Sequence, residues 1–202
     1  MTQATLQGRV DAVVIGASAG GVEALLRLLP ALTHRPRAPI VIVIHLPRER
    51  PSLLVTVFGA RCDVPVVEAE DKMPLAAGTI YFAPADYHLL VDEGPSLALS
   101  TDDLVNFSRP AIDVLFESAV DVYGARLAGI VLTGANDDGA AGLAAIRRAG
   151  GLTIVQDPET AFVSTMPLAA LARVDADFLL PLDGIAALLQ SLDAADEGKV
   201  AA

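Results

Sequence analysis

The stretch Ala-Val-Val-Ile-Gly-Ala-Ser-Ala-Gly-Gly at residues 12–21 decides the fold class of this protein. Its first four residues form a short, continuous, apolar run that ends at a glycine, which is typical of a strand buried on both faces. After the glycine-rich turn, the apolar residues recur at Val22, Leu25, Leu26 and Leu29, which lie on one face of a helix. The stretch is therefore predicted to be a strand, a tight turn and a helix, the repeating unit of an α/β protein.

The same alternation continues along most of the chain. Further buried strands are predicted at residues 40–44, 64–67, 129–132, 152–155 and 178–180, and helices at 51–60, 110–123, 140–148, 167–173 and 184–192. Ser108 is a candidate cap for the helix at 110–123. Three short strands at 79–82, 87–91 and 97–99 are separated by turn residues and are predicted to form a small antiparallel meander.

These patterns predict a doubly wound, mostly parallel sheet flanked by helices, with a small antiparallel hairpin or meander as an insert. No linker, low-complexity segment or internal repeat interrupts the chain. We therefore expect a single domain over residues 1–202, with a core from about residue 12 to residue 192.

Composition excludes several classes of protein. Hydrophobic residues make up 53% of the chain but aromatic residues only 4%, so the core must be aliphatic. The 14 basic residues against 25 acidic ones give a net charge of −11, which disfavours a nucleic-acid partner. The single cysteine, Cys62, excludes an internal disulfide and a cysteine-based zinc site, and we expect no metal and no cofactor.

The N-terminus lacks the basic region and apolar stretch of a signal peptide. The longest apolar run, at residues 40–44, is far too short to cross a bilayer. The sequence therefore predicts a cytoplasmic protein that does not insert into membranes.

Three side chains with complementary chemistry follow three of the predicted parallel strands. Ser18 follows the first strand, His45 the second, and Asp137 and Asp138 follow the strand at 129–132. Because the carboxyl ends of parallel strands share one edge of the sheet, a hydroxyl, an imidazole and a carboxylate are expected together there. This is the composition of a nucleophile, a base and an orienting acid. Ser18 also has the Gly-x-Ser-x-Gly spacing of a nucleophile elbow.

Each of these residues also has an ordinary structural interpretation. Serine and aspartate are common helix caps, and a histidine at a strand end can simply bind backbone. A dinucleotide site requires Gly-x-Gly-x-x-Gly, but position 18 is a serine and the second strand ends in His45 rather than an acidic residue. No tyrosine is followed by lysine at the spacing of short-chain dehydrogenases. The order Ser, His, Asp also differs from that of α/β-hydrolases.

The chain resembles the catalytic domain of chemotaxis protein-glutamate methylesterases, the CheB family, from about Val13 to Leu192. The resemblance rests on seven stretches in the same order, namely residues 15–21 (IGASAGG), 45–47 (HLP), 68–71 (EAED), 80–84 (IYFAP) with His88, 106–110 (NFSRP) with 113–116 (DVLF), 132–134 (LTG) with 138–142 (DGAAG), and 156–160 (QDPET) with 166–167 (MP).

The resemblance implies a parallel α/β fold and hydrolysis of glutamate methyl esters on the cytoplasmic helices of methylated chemoreceptors, in chemotaxis adaptation, with deamidation of receptor glutamines as a second activity. It puts the nucleophile on Ser18, the histidine on His45 and the acid on Asp138, the aspartate directly before the glycine. The backbone N–H groups of Ala19 and Ala135 are the candidate oxyanion donors.

Two departures from the family pattern lie beside these residues. Ala19 stands where the family usually has threonine, and Ala135-Asn136 where it usually has Met-Gly. Family members also commonly carry an N-terminal receiver domain, whereas only about ten residues precede the first strand here. No receiver domain is therefore expected in this sequence, which is either a stand-alone esterase or an excised domain.

Arg48 and Arg50 follow His45 in a chain of net charge −11. We interpret them as residues that steer an acidic receptor helix toward the site. Two other classes of function remain open at this point: a non-hydrolytic signalling or binding module on the same fold, and an α/β protein that binds a small molecule or nucleotide.

Overall fold

The computed structural model describes residues 5–32, 35–46 and 53–192. Within these ranges the strands are β1 Ala12–Ala17, β2 Ile40–Ile44, β3 Val66–Glu68, β4 Ile80–Phe82, β5 His88–Asp92, β6 Ser96–Ser100, β7 Leu127–Val131, β8 Leu152–Gln156 and β9 Phe178–Leu180. The α-helices are α1 Gly21–Leu28, α2 Leu54–Gly59, α3 Ile112–Tyr123, α4 Ala140–Arg148, α5 Thr165–Leu171 and α6 Leu182–Gln190.

Seven of these strands form one sheet in the order β3-β4-β2-β1-β7-β8-β9. Every neighbouring pair in this sheet is parallel. From β1 the sheet continues to β2, β4 and β3 on one side and to β7, β8 and β9 on the other, which is the arrangement of a doubly wound sheet. The predicted fold class is confirmed, and β1, the stretch that decided it, lies at the centre.

The antiparallel part of the protein is smaller than the sequence predicted. Of the strands in the described ranges, only β5 and β6 pair with each other in antiparallel fashion, and they form a separate two-stranded sheet. The prediction that residues 79–82 belong to the meander is wrong, because β4 lies in the main sheet, parallel to β2 and β3. All three residues of β4 are buried, as expected for a strand covered on both faces, but a run so short carries no periodicity that could reveal this.

The side chains of the sheet alternate between two apolar layers. On β1, Val13, Ile15 and Ala17 pack into the layer that contains α1 and α6, whereas Ala12 and Val14 pack into the layer that contains α3, α4 and α5. All six residues of β1 are buried. This explains why the strand is apolar throughout rather than alternating between apolar and polar residues.

The carboxyl ends of β1, β2 and β7 meet at one edge of the sheet. Beyond the strands themselves, the N–H of His45 donates to the carbonyl of Ala17 at 3.1 Å, and the N–H of Ser18 donates to the carbonyl of Thr133 at 2.9 Å. The residues directly after the three central strands are thus held side by side by backbone hydrogen bonds. Among the helices in the described part of the chain, none has the length and apolar character needed to cross a membrane.

Candidate active site

His45 and Asp138 form a direct hydrogen-bonded pair at this edge. His45 Nε2 lies 2.8 Å from Asp138 Oδ2. The Asp138 side chain is fully buried, while 13% of the His45 side chain remains exposed. The pair therefore has a buried carboxylate end and an imidazole end that solvent or a ligand can reach.

The Asp138 carboxylate is surrounded by hydrogen-bond donors. Oδ2 accepts the N–H of Ile112 at 2.7 Å, and Oδ1 accepts the N–H groups of Asp113 at 3.0 Å and Gly139 at 3.1 Å. Oδ1 also accepts Asn106 Nδ2 at 2.9 Å. Two of these N–H groups belong to the first turn of α3, where the helix dipole favours a negative charge.

Burial alone would raise the pKa of Asp138. The hydrogen bonds from His45, the Ile112 N–H, Asn106 and the Asp113 N–H outweigh that effect and hold the pKa of Asp138 below its ordinary value. Asp138 is consequently a carboxylate under neutral conditions, and it can only accept hydrogen bonds.

The chemistry of this pair determines the tautomer of His45. Since Asp138 is an acceptor, the nitrogen that faces it, Nε2, must carry the proton. In the neutral imidazole the other nitrogen, Nδ1, is then an unprotonated acceptor. The side-chain nitrogen of Asn136 lies 3.4 Å from Nδ1, a long distance for a hydrogen bond. Nδ1 is the atom through which His45 could take a proton from a nucleophile.

Ser18 lies at the end of β1, one strand away from His45. Its N–H binds the Thr133 carbonyl, and its own carbonyl accepts the N–H of Gly21 at 2.8 Å, which turns the chain into α1. Within the described ranges, no hydrogen bond joins Ser18 Oγ to His45. The structure thus brings His45 and Asp138 into contact and places Ser18 directly after the strand next to the one that His45 follows. Catalytic hydrogen bonds are often long without substrate, so this arrangement remains compatible with a triad.

Two glycines allow the chain to pass close to Ser18. A Cβ on Gly134 would overlap the sulfur of Met166 and lie 2.9 Å from the Cβ of Ser18. Gly20 has φ +78°, and a Cβ there would lie 2.6 Å from the Cβ of Phe162. The loop after β7 therefore packs directly against the serine turn, and any larger residue at position 134 would push the two apart.

Thr133 ties the serine turn to the loop after β7. Its hydroxyl donates to the Ala19 carbonyl at 2.8 Å and accepts the N–H of Val163 at 2.9 Å. The Thr133 N–H donates to the buried Gln156 side chain at 2.9 Å. Among the described residues, the N–H groups of Ala19 and Ala135 have no hydrogen-bond acceptor. They are thus available to a ligand, as an oxyanion hole requires.

A hollow of about 100 Å³ opens beside the imidazole. Its wall includes His45, Leu46, Phe107, Ser108, Arg109 and Pro110. In the part of the chain that the structure describes, no three His, Cys, Asp or Glu side chains come together in a way that could hold a metal ion.

Comparison with known proteins agrees with this fold. The sequence profile of the family described as CheB methylesterase matches residues 13–189. This chain belongs to the CheB methylesterase family.

Individual relatives cover nearly the whole chain. A Leptospira interrogans protein with the provisional name protein-glutamate methylesterase/protein-glutamine glutaminase is 44% identical over 183 residues, which are 91% of this chain and 95% of that protein. A Rhodospirillum rubrum protein-glutamate methylesterase/protein-glutamine glutaminase 2 is 41% identical over 86% of this chain but only 48% of its own length. The crystal structure of the Thermotoga maritima CheB methylesterase catalytic domain has a TM-score of 0.85 and 33% identity, covering 91% of this chain and 98% of that one.

Four of the residues considered as candidates in the sequence are not seen in the site of this family member. Arg48 and Arg50 lie outside the described residues. Asp137 is exposed, and its backbone carbonyl accepts the N–H of Ala140 at 3.2 Å. Among the described residues, its side chain forms no hydrogen bond with His45 or with Asp138. His88 is buried, and its ring nitrogens bind the Asp103 carbonyl and the Ala111 N–H. It is a structural histidine of the β5–β6 insert.

Two further residues of the site are not among the candidates predicted from the sequence. Asn106 Nδ2 lies 2.8 Å from Asp113 Oδ2 and 2.9 Å from Asp138 Oδ1. Asp113 is 7% exposed and its other oxygen accepts the N–H of Gly142 at 2.7 Å. The signal available was a carboxylate at an apolar-facing position of α3, since acidic residues are almost never fully buried unless paired.

Proposed function

We propose that this chain is a serine hydrolase that removes methyl groups from glutamate methyl esters of proteins, with Ser18, His45 and Asp138 as its catalytic residues. The observation that supports this best is the 2.8 Å contact between His45 and the buried Asp138 at the strand edge that also carries Ser18. The names of the relatives supply the substrate class, and the pair of residues supplies the chemistry.

In the proposed reaction, Ser18 Oγ attacks the ester carbonyl and His45 Nδ1 accepts the hydroxyl proton. Asp138 keeps the other proton on Nε2 and balances the positive charge that develops on the ring. The tetrahedral oxyanion is bound by the N–H groups of Ala19 and Ala135, each worth about 10²–10³ in rate where such donors have been removed. His45 then gives its proton to the departing methoxide, and methanol leaves.

A water molecule completes the cycle. His45 removes a proton from the water, which attacks the glutamyl ester on Ser18, and collapse of the second tetrahedral intermediate returns the proton to Ser18. The products are a free glutamate side chain and an unmodified serine. The same steps on a glutamine side chain would release ammonia, which corresponds to the glutaminase activity in the names of the relatives.

The substrate we propose is a methylated chemoreceptor. We propose that the enzyme binds the helical methylation segments of this receptor in the cytoplasm. Such segments are rich in glutamate, so the chain must attract an acidic partner despite its net charge of −11. Arg48 and Arg50, close in sequence to His45, are the proposed source of local positive charge.

The first test is covalent labelling with a fluorophosphonate, which requires an activated serine. We expect a single label on Ser18 in the folded protein and none in a Ser18→Ala variant. The second test is release of methanol from methylated chemoreceptor, which the same variant should abolish. A folded protein that neither takes the label nor releases methanol would instead be a non-hydrolytic binding module on the same fold.

A further inference from the structure

The turn that carries Asn106 has an unusual backbone. Val105 and Ser108 exchange two backbone hydrogen bonds, at 2.9 and 3.2 Å, and enclose a two-residue loop. Asn106 has φ +50° and Phe107 has φ +59°, both in the left-handed region. Two consecutive residues with positive φ define a type I′ turn, which favours Asn at the first position and Gly at the second.

Burial does not account for this conformation. Phe107 is 95% exposed, so packing of its ring does not offset the strain of a bulky residue in the left-handed region. The side chain of Asn106 does bind the rest of the protein, through the two hydrogen bonds described above. These bonds are the contacts that hold the turn against the end of the sheet.

An amide suits this position for a simple reason. Asn106 Nδ2 has two hydrogens, and each points to an oxygen of a different carboxylate, Asp113 on α3 and Asp138 in the loop after β7. A carboxylate at position 106 would supply no donor and add a third negative charge, and a hydroxyl has only one hydrogen to give. Asp113 is itself fixed by the N–H of Gly142, so it serves as an anchor on α3 and α4.

We propose that Asn106 is a positioning residue for the proposed esterase reaction, holding Asp138 Oδ1 against the Asp113 anchor so that Oδ2 faces His45 Nε2. Its two hydrogen bonds limit rotation of the Asp138 carboxylate about its terminal bond. They also separate two buried carboxylates that would otherwise repel each other. The consequence for catalysis is the tautomer of His45, because Nδ1 accepts a proton from Ser18 only when the ring proton stays on Nε2.

The test variant is Asn106→Gly. Glycine tolerates the left-handed conformation, so the turn is retained and only the amide is removed. On a methyl ester substrate we expect kcat to fall about tenfold, the lower end of the effect of losing an orienting partner, with KM unchanged. A loss confined to kcat is the mark of an interaction made in the transition state.

A second measurement reports on the imidazole directly. In protein with ¹⁵N-labelled histidine, the ring shifts of neutral His45, assigned against a His45→Gln variant, should show the proton on Nε2. In Asn106→Gly the shifts should move toward a mixture of the two tautomers. Leu104→Ala is the matched control, because Leu104 is an exposed residue of the same loop that binds neither carboxylate. It should leave both kcat and the ring shifts as they are in the wild type.

Asn106→Asp provides an independent variant should the glycine variant fold poorly. It keeps the shape and the left-handed tolerance of asparagine but lacks the two donors, so both readouts should move in the same direction. Wild-type kcat together with wild-type ring shifts in a folded Asn106 variant would overturn the proposal. If the wild type itself hydrolyses no ester, the proposed function fails, while the ring shifts still decide whether Asn106 positions Asp138.

Discussion

At the scale of single residues, the most informative is Asp138. Its position before Gly139 and α4 is typical of an aspartate that caps the following helix. In the structure its side chain instead caps α3, a helix that begins 26 residues earlier in the chain, through the N–H groups of Ile112 and Asp113. Asp138 therefore joins two distant segments at the point where it binds His45.

The neighbouring acids offer a matched test of this arrangement. Asp138→Asn should lower kcat by about 10²–10⁴, because the same change in a comparable triad permits the wrong histidine tautomer. It should also lower the free energy of unfolding by about 1–3 kcal/mol, since an amide nitrogen would face buried N–H donors. Asp137→Asn should change neither value appreciably, because Asp137 is exposed. Ester hydrolysis and thermal melts of both variants check this. If Asp137→Asn loses most of its activity while Asp138→Asn keeps it, the assignment of Asp138 as the catalytic acid is wrong.

The pH dependence of stability follows from the same residue. The pKa of Asp138 is lower in the folded protein than the ordinary value of 3.8. Its stabilising contribution is therefore complete above that value and is lost as the pH falls through the lower, folded-state pKa. In denaturant titrations below about pH 4, Asp138→Asn should lose less stability on acidification than the wild type does. If the free energy of unfolding falls equally in the two proteins as the pH is lowered, Asp138 is not held as a carboxylate in the folded protein.

Asn136 is the residue whose side chain approaches the unprotonated nitrogen of the imidazole. Its amide nitrogen lies 3.4 Å from His45 Nδ1, the atom that the proposed mechanism assigns to Ser18. Asn136→Gly should remove this competing donor and increase the rate of fluorophosphonate labelling at Ser18 several-fold, the scale of one weak hydrogen bond. A slower reaction in the variant would mean that Asn136 assists the site, for instance by binding substrate.

At the scale of elements, the type I′ turn at Val105–Ser108 is strained at Phe107, because this bulky residue adopts a left-handed backbone conformation. The left-handed conformation of an exposed Phe107 is unfavourable, whereas glycine adopts it readily. Phe107→Gly should therefore stabilise the protein by about 1 kcal/mol and raise its Tm by roughly 2–4 °C.

Phe162 offers the control for this change. It is also an exposed phenylalanine, at 81%, but it is not among the residues with positive φ. Glycine there adds freedom to the unfolded chain without relieving strain, so Phe162→Gly should lower Tm. Equal shifts in the two variants, measured by thermal melts, would show that loss of the exposed ring and not the backbone conformation is responsible.

At the scale of the whole molecule, charge opposes the proposed substrate. A chain of net charge −11 repels an acidic helix at long range, so local positive charge near the site is needed. Changing both Arg48 and Arg50 to Glu should raise KM for methylated receptor while leaving hydrolysis of a small neutral ester as it was. Raising the salt concentration should reproduce the effect in the wild type, because salt screens exposed charges. Equal losses on both substrates would point to misfolding rather than to steering.

The elements that were predicted least well are those whose partners lie far away in the sequence. Ser108, expected to cap the helix that follows, pairs instead with Val105, and α3 begins after Ala111 without a side-chain cap from its own segment. The cap comes from Asp138. A local pattern can show that a helix needs a cap, but it cannot show that a residue of another loop provides it.

The sequence by itself determined the doubly wound architecture and the edge of the sheet at which Ser18, His45 and Asp138 gather. Continuous apolar runs can be buried only between two layers of helices, and parallel strands bring their carboxyl ends to one side. Only the tertiary structure decided which nitrogen of His45 faces the acid, that β4 joins the main sheet, and that Asn106 links two buried carboxylates. These features depend on side-chain contacts between segments distant in sequence, and no local periodicity encodes such contacts.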